Sequence, residues 1–423
     1  MAGRDRAGVT ADVIVVGAGA AGLATAIFAA RAAPQLRVRC LDGARHIGAK
    51  ILVSGGSRCN VTNRTVTERD FWGGPARLVK AVLRAFPPDR AVRFFEELGV
   101  PLHEEEDGKL FPDSNRSRSV LEALVREAER LGVSIETGRR VRRISAEREG
   151  FTVETVEGPA SGSRAVVLAT GGRSLPKTGS DGFGYDLARR LGHTCVDTTP
   201  ALAPLVLRGS RHRALSGVAH PAELTLRVNG RAVVRLEGPL LWTHFGISGP
   251  VALNLSRHWH RARLVQPAQD VAVHLKVCPG DSHASLDGWL VEQVGVRPRA
   301  QVSTVLTTRL PAAVADAWLD EAGVARETTM AHLSRDARRT LVHRLHDTRL
   351  DVEDSRGYAY AEVTAGGVPL EEIDPATMES RVCPGLYLVG EILDVDGRLG
   401  GFNFQWAWSS GWVAGQGLAR RLG

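Results

Sequence analysis

Cysteine is scarce and scattered. The chain has five, Cys40, Cys59, Cys195, Cys278 and Cys383, with no CxxC pair and no second ligand cluster near any of them. Such spacing excludes a disulfide-stapled scaffold, argues against a structural zinc or a dithiol redox centre, and suits a reducing compartment. No run approaches ~18 consecutive apolar residues, and the polar opening from Met1 to Thr10 lacks the apolar core of a secretory signal. The expectation is a cytoplasmic protein without a membrane partner. Lysine is nearly missing too: of 54 basic residues only Lys50, Lys80, Lys109, Lys177 and Lys276 are lysines. The net charge of +7 is carried by arginines dispersed through an alanine- and glycine-rich chain, with no basic run and no interleaved aromatics. Dispersed arginine disfavours a nucleic-acid partner and leaves a small-molecule substrate as the expectation.

What is present is ordinary globular material. With 423 residues, 43% apolar and 24% charged, the chain has length for two or three packed domains. Residues 12–16 form a β-branched run, Gly17, Gly19 and Gly22 follow, then an alanine-rich helix over 20–32 and a strand over 37–41 ending at Asp42. That order is the start of a dinucleotide-binding βαβ unit. In Gly17-Ala18-Gly19-Ala20-Ala21-Gly22 the first glycine permits the turn, the second lets the backbone approach a pyrophosphate, and the third lets helix and strand pack closely. Asp42, twenty residues after Gly22, stands where a carboxylate accepts the hydroxyls of an adenosine ribose, with Gly43 beside it.

Further along, apolar residues at helical spacing mark 76–98 and 119–131, with a polar segment over 101–118 expected to turn across the surface. Residues 141–145, 151–156 and 165–169 read as three strands, the last ending in Ala169-Thr170-Gly171-Gly172. Residues 224–228 and 232–236 alternate about Asn229-Gly230, a strong hairpin signal. Residues 285–347 read as mostly helical, 385–389 as a buried strand, and 406–418 as an apolar helix whose Trp406, Trp408 and Trp412 fit a core.

The strand ending in Ala-Thr-Gly-Gly after a β-meander resembles the signature of two-dinucleotide-binding flavoproteins, and Gly390-Glu391 resembles their late Gly-Asp motif. Four longer segments sharpen this: Gly48 to Asn63, Gly171 to Tyr185, Leu240 to Pro250 and Gly390 to Gly411 together resemble the BaiN/YhiN-like flavoproteins, which include aminoacetone-oxidase-like FAD enzymes and enone reductases of bile-acid metabolism. The resemblance spans nearly the whole chain. It departs at Ser57, where glycine is usual, and at Asp42, where glutamate is common. It implies an α/β fold: a Rossmann-like FAD-binding domain discontinuous over 1–194 and 348–423, a β-rich, barrel-like substrate-side domain over 195–284, and a helical insert over 285–347. It further implies noncovalent FAD held by Gly17 to Gly22, Asp42, Gly43, a loop from Lys50 through Gly55, Gly56, Arg58 and Cys59 to Asn60, Val141, Ala169, Thr170, Gly171, Gly390, Glu391, and the helix opening Gly400, Gly401, Phe402, Asn403. N–H groups at that opening would face the flavin edge where negative charge accumulates on reduction.

A second GxGxxG is missing, so NAD(P)H is expected only as a transient electron donor. The expected reaction is hydride transfer through the flavin between NAD(P)H and an unsaturated or carbonyl small molecule. Oxidation of a small amine by O₂ and a flavin-bearing RNA-modifying role are the alternatives. Cys59, without a partner thiol, reads as a small buried residue rather than a redox centre. His244 is a candidate proton donor because imidazole titrates near neutrality, although a lone histidine more often packs. Thr364, in a glycine-rich turn, is the other candidate.

Overall fold

The structure, a computed structural model, describes residues 9–265 and 269–423; the polar opening from Met1 to Gly8 lies outside them. The chain divides into two compact units, 1–199 with 362–423, and 200–361.

The first unit is built on a parallel core. Strand β1 (Val9–Val16) pairs in parallel with β2 (Val38–Leu41) on one side and with strand Ser161–Leu168 on the other. Strand Leu386–Leu388 adds to the far half of Ser161–Leu168, also in parallel, while its near half pairs with the meander strand Gly150–Thr155. Register places Val16 opposite both Leu41 and Leu168, and Leu168 opposite Leu388. Four strands therefore end at one edge, and Gly17, Asp42, Ala169 and Val389 all leave the sheet there.

Helix α1 (Ala20–Ala32) is buried at every residue from Ala21 to Ala30, which explains its alanine-rich, non-amphipathic sequence. It lies against the closing helix Phe402–Leu422 at a distance that only glycine permits. A Cβ on Gly411 would lie 2.9 Å from that of Ala24, and one on Gly415 would lie 2.7 Å from that of Phe28. The periodic stretch 76–98 is two helices, Ala76–Ala85 and Pro88–Glu97, because Pro87 and Pro88 cannot continue the first. The polar segment 101–118 does not merely cross the surface: Leu102–Glu104 and Lys109–Pro112 form an antiparallel sheet with Thr62–Asn63.

The second unit carries a seven-stranded antiparallel sheet, in which the predicted hairpin appears as Ala219–Val228 and Arg231–Thr243. The two strands at opposite ends of the sheet order, Thr348–Leu350 and Val352–Ser355, are separated in sequence by Asp351 alone. The sheet must curl until its edges approach, which is the barrel-like form. Two boundary expectations change with it. Residues 348–361 stay with the second unit, because their short strands pair with Val271–Lys276 and Leu205–Leu207. The helical stretch is not a separate body: Leu286, Leu290, Val302, Val314, Trp318 and Leu341 share one core with the sheet residues Leu224, Leu240 and Leu275. Among the described residues no helix is long and apolar enough to cross a membrane.

Candidate functional site

The edge where the four strands end is the place an α/β sheet offers a ligand. Its first glycine turn divides the labour as the spacing predicts. Gly17 has φ +101°, and a Cβ there would lie 2.5 Å from the Ala169 carbonyl oxygen. At Gly22 it would lie 1.9 Å from the Gly17 carbonyl oxygen and 3.2 Å from the Ala169 Cβ. At Gly19 nothing stands within 4 Å. Two glycines serve the protein's own packing; the middle one faces open space. The open N–H groups of the first turn of α1 complete an anion site.

Asp42 stands at the same edge, partly buried. Its Oδ2 accepts from the Ala18 N–H at 2.8 Å and its Oδ1 from the Ala44 N–H at 2.8 Å. Each carboxylate oxygen keeps a lone pair for a ribose hydroxyl. Arg139 N donates to the Asp42 carbonyl at 2.8 Å, bringing the segment just before Val141 beside the acid; Val141 heads its strand and is 4% exposed. The other two glycine signatures meet the first one directly. A Cβ on Gly390 would lie 2.7 Å from that of Ala21, and one on Gly172 would meet Thr364 Oγ1 at 2.4 Å and Glu391 Oε1 at 2.7 Å. At Gly171 it would meet Ser180 Oγ at 2.4 Å, and the Thr170 hydroxyl is turned toward Gly184.

Beyond that edge lies a polar knot. Lys50 Nζ pairs with Glu391 Oε2 and donates to Ser174 Oγ at 2.5 Å. Ser174 Oγ lies 2.7 Å from Glu391 Oε1, which also accepts from the Thr364 N–H at 3.0 Å. Thr364 Oγ1 accepts from the N–H groups of Arg173 at 2.7 Å and Ser174 at 3.0 Å. Thr364 is fully buried and ties the knot together; that commitment suits positioning rather than proton donation. Glu391 likewise spends its carboxylate on protein partners. Ser174 was not singled out by the sequence, although it lies inside the Gly171 to Tyr185 segment.

The stretch after Lys50 is a helix before it is a loop. Helix α2 (Ala49–Ser57) is broken inside by Ser54, Gly55 and Gly56, the two glycines at φ +54° and +67°. Ser57 at φ +66° continues the left-handed path, Arg58 returns to φ −102°, and Cys59 is left-handed again at +64°. The expected loop therefore begins at Ser54, not at Lys50. Arg58 is occupied by Glu105 at 2.6 Å and by the Phe111 ring, 4.1 Å from its centroid. Cys59 is fully buried, and burial pushes its thiol up to about 12, so a thiolate is not available near neutrality.

Asn60 joins this loop to the closing helix. With its amide turned to satisfy its neighbours, it donates to the Thr62 carbonyl at 2.8 Å and accepts from the Gly401 N–H at 3.1 Å. Gly401, at φ +90°, caps the helix, and a Cβ there would strike the Thr62 carbonyl at 2.5 Å. Gly400, at φ +127°, gives its carbonyl to Asn63 Nδ2 at 3.2 Å. The side chains of the next two residues are not free for a cofactor. Phe402 is buried against Phe71 and under Arg398, and Asn403 holds both the N–H and the carbonyl of Gly397. What remains at this opening are first-turn N–H groups. His244 belongs to the second unit, exposed in the turn after Arg231–Thr243 and edge-on to Phe245.

A cradle with an open middle glycine, a strand-end acid and a glycine-opened helix fits FAD, and the similarities of the chain agree. Residues 11–417 match the model described as HI0933-like protein Rossmann domain. The chain is 34% identical to the ribosomal RNA dihydrouridine synthase of Escherichia coli K12, covering 96% of this chain and 98% of that protein. It is 32% identical to the 3-dehydro-bile acid delta(4,6)-reductase of Clostridium scindens, again over 96% and 98%. Among solved structures, the FrdA chain of E. coli quinol fumarate reductase shares the fold, with TM-score 0.50 and 18% identity, covering 97% of this chain and 70% of that one. The chain belongs to the HI0933-like family of Rossmann-type, FAD-dependent oxidoreductases.

Proposed function

We propose that this chain reduces a carbon–carbon double bond conjugated to a carbonyl, using noncovalently held FAD and NAD(P)H as a transient donor, in the cytoplasm. The observation that carries cofactor use is the common edge, where Gly17, Asp42, Ala169 and Val389 leave four strands in register. Bound FAD, once reduced by NAD(P)H, would pass a hydride to the substrate, and a proton would complete the reduction. The protein's part is placement. Asp42 takes the ribose, the Gly19 gap takes the pyrophosphate, and the opening of the closing helix offers N–H groups where charge develops. The Lys50–Glu391–Ser174 knot holds a cation and its partners fixed.

The reaction class is supported by the two relatives, whose names both describe hydrogenation next to a carbonyl: one of a uridine, the other of a bile-acid enone. The second unit favours the polyanionic substrate of the two. It carries twenty Lys and Arg against fifteen Asp and Glu, so five of the chain's seven net positive charges lie within 200–361. The surplus there comes from a thinner share of acidic residues, since the unit's basic residues are in proportion to its length.

The test is anaerobic mixing with NADH and with NADPH, watching the flavin absorbance bleach, followed by addition of a cyclic enone or a uridine-containing RNA oligomer. Reoxidation with a product two hydrogens heavier is expected. Reoxidation by O₂ alone, with neither substrate changed, would refute the reading.

A further inference from the structure

Tyrosine is rare in this chain, four in 423 residues, and its distribution is uneven. Tyr185 and Tyr387 are core residues at 2% and 0% exposure. The other two stand in five consecutive residues, Arg356-Gly357-Tyr358-Ala359-Tyr360, on the segment after strand Val352–Ser355 of the second unit. Tyr360 is 49% exposed and Tyr358 partly so. One exposed tyrosine needs no explanation. What surrounds this one does.

The Arg356 guanidinium lies between two rings, 3.3 Å from the Tyr360 centroid and 4.7 Å from that of Phe245. Phe245 is met edge-on by His244, with centroids 5.1 Å apart and planes at 83°. The His244 carbonyl is held by His212 Nε2 at 3.2 Å, and Arg213, the next residue, is exposed. Two distant segments are fixed together here by backbone bonds: Leu207 N–H to the Phe245 carbonyl at 3.0 Å, and Arg356 N–H to the Pro204 carbonyl at 2.9 Å. Phe245 and Arg356 therefore sit beside strand ends, and Tyr360 is carried on the turn that follows, where its N–H bonds the Gly357 carbonyl at 3.1 Å. The stack costs ordering of arginine and tyrosine side chains at the surface while burying little of the outer ring.

We propose that this layer of Phe245, Arg356 and Tyr360 is a stacking platform for an unpaired base of a single-stranded RNA. The outer tyrosine ring offers a flat π surface to a base, the guanidinium behind it polarises that ring, and the exposed Arg213 is placed to meet backbone phosphate. The surplus positive charge of 200–361 complements the same ligand. The proposal rests on the reading of the substrate as an RNA rather than a small enone. It assigns that RNA a contact on the second unit, outside the FAD cradle.

The test is fluorescence anisotropy of a labelled uridine-rich RNA oligomer with the FAD-loaded full chain, repeated with Tyr360→Ala, Tyr360→Phe and Arg356→Ala. Stacking of one base predicts about tenfold weaker binding for Tyr360→Ala and Arg356→Ala, with Tyr360→Phe close to the parent. Flavin content and far-UV circular dichroism, unchanged in all three, show the fold intact. Equal binding by parent and Tyr360→Ala would overturn the platform. Cyclic-enone reduction by the same preparations separates the two ideas. If enone is reduced and RNA is not bound, the platform falls and the reductase stands; if RNA binding depends on Tyr360 and nothing is reduced, the reverse holds.

Discussion

Ser57 shows what one residue can disclose. It departs from the family's usual glycine, and the structure places it at φ +66°, between Gly56 and Arg58, with its side chain exposed. A left-handed residue with a Cβ costs about 1–2 kcal/mol, and glycine's larger unfolded-state entropy returns part of that. Ser57→Gly is expected to stabilise the chain by about 0.5–1 kcal/mol, read as a raised midpoint in urea; a lowered midpoint would mean the serine makes a bond that outweighs its backbone. Asp42 is the opposite case, legible from spacing alone. On the proposed ribose contact, its replacement by alanine removes a charge-assisted acceptor, so FAD should bind weaker by about 1.5–3 kcal/mol. It also releases the N–H groups of Ala18 and Ala44. Titration of apoprotein with FAD, beside a melt of the apoprotein, separates the two losses, and retention of full FAD affinity would remove Asp42 from the site.

At the scale of elements, the glycine turn and the opening of the closing helix look alike in sequence and differ in what their glycines serve. A side chain on Gly401 would meet the Thr62 carbonyl before anything bound at the edge. Gly22 likewise faces the Gly17 carbonyl, whereas Gly19 faces open space. Gly19→Val should therefore leave the apoprotein within ~1 kcal/mol of the parent, the cost of a poorer helix cap, while abolishing FAD uptake. Gly22→Val should destabilise the fold itself by about 3 kcal/mol or more. Denaturant melts of both apoproteins decide it: equal destabilisation would mean that the Gly19 gap is not a ligand space. The βαβ order was legible because strand, glycine turn and acid are local signals. The Lys50–Glu391–Ser174–Thr364 knot was not, since it joins four segments between residues 50 and 391, and no local pattern reports which carboxylate a lysine will find.

For the whole molecule, the boundaries were legible only where the hydrophobic period changes. The hairpin about Asn229-Gly230 announced the second unit, but Thr348–Leu350 and Val352–Ser355 are too short to show a period, so their membership of its sheet depended on pairing. The fold also sorts the histidines, ten of thirteen falling within 200–361. Burial holds His258 and His260 down to about 4, and it lowers His212, His220 and His346 as well. All five belong to the second unit. Above pH 6.5 these imidazoles are neutral whether the chain is folded or not, so they leave stability unchanged. As pH falls from 6.5 toward 4 the unfolded chain takes up protons that the folded unit refuses, and stability drops. His258 and His260 should each contribute about 1–3 kcal/mol to that loss, discounted for partial exposure. In the first unit the lowered groups are carboxylates such as Asp12 beside Arg37 and Glu127 beside Arg130 and Arg31. Their stabilisation is present above the ordinary carboxylate range and is lost only as pH falls through their lowered values. Acidification from pH 7 to about 5 should therefore loosen the second unit while sparing the first. Segment-resolved hydrogen exchange, corrected for the intrinsic rate at each pH, should show Ala219–Val228 losing protection before β1. Equal loss in both strands, or earlier loss in β1, would show that the histidines do not govern the acid limb.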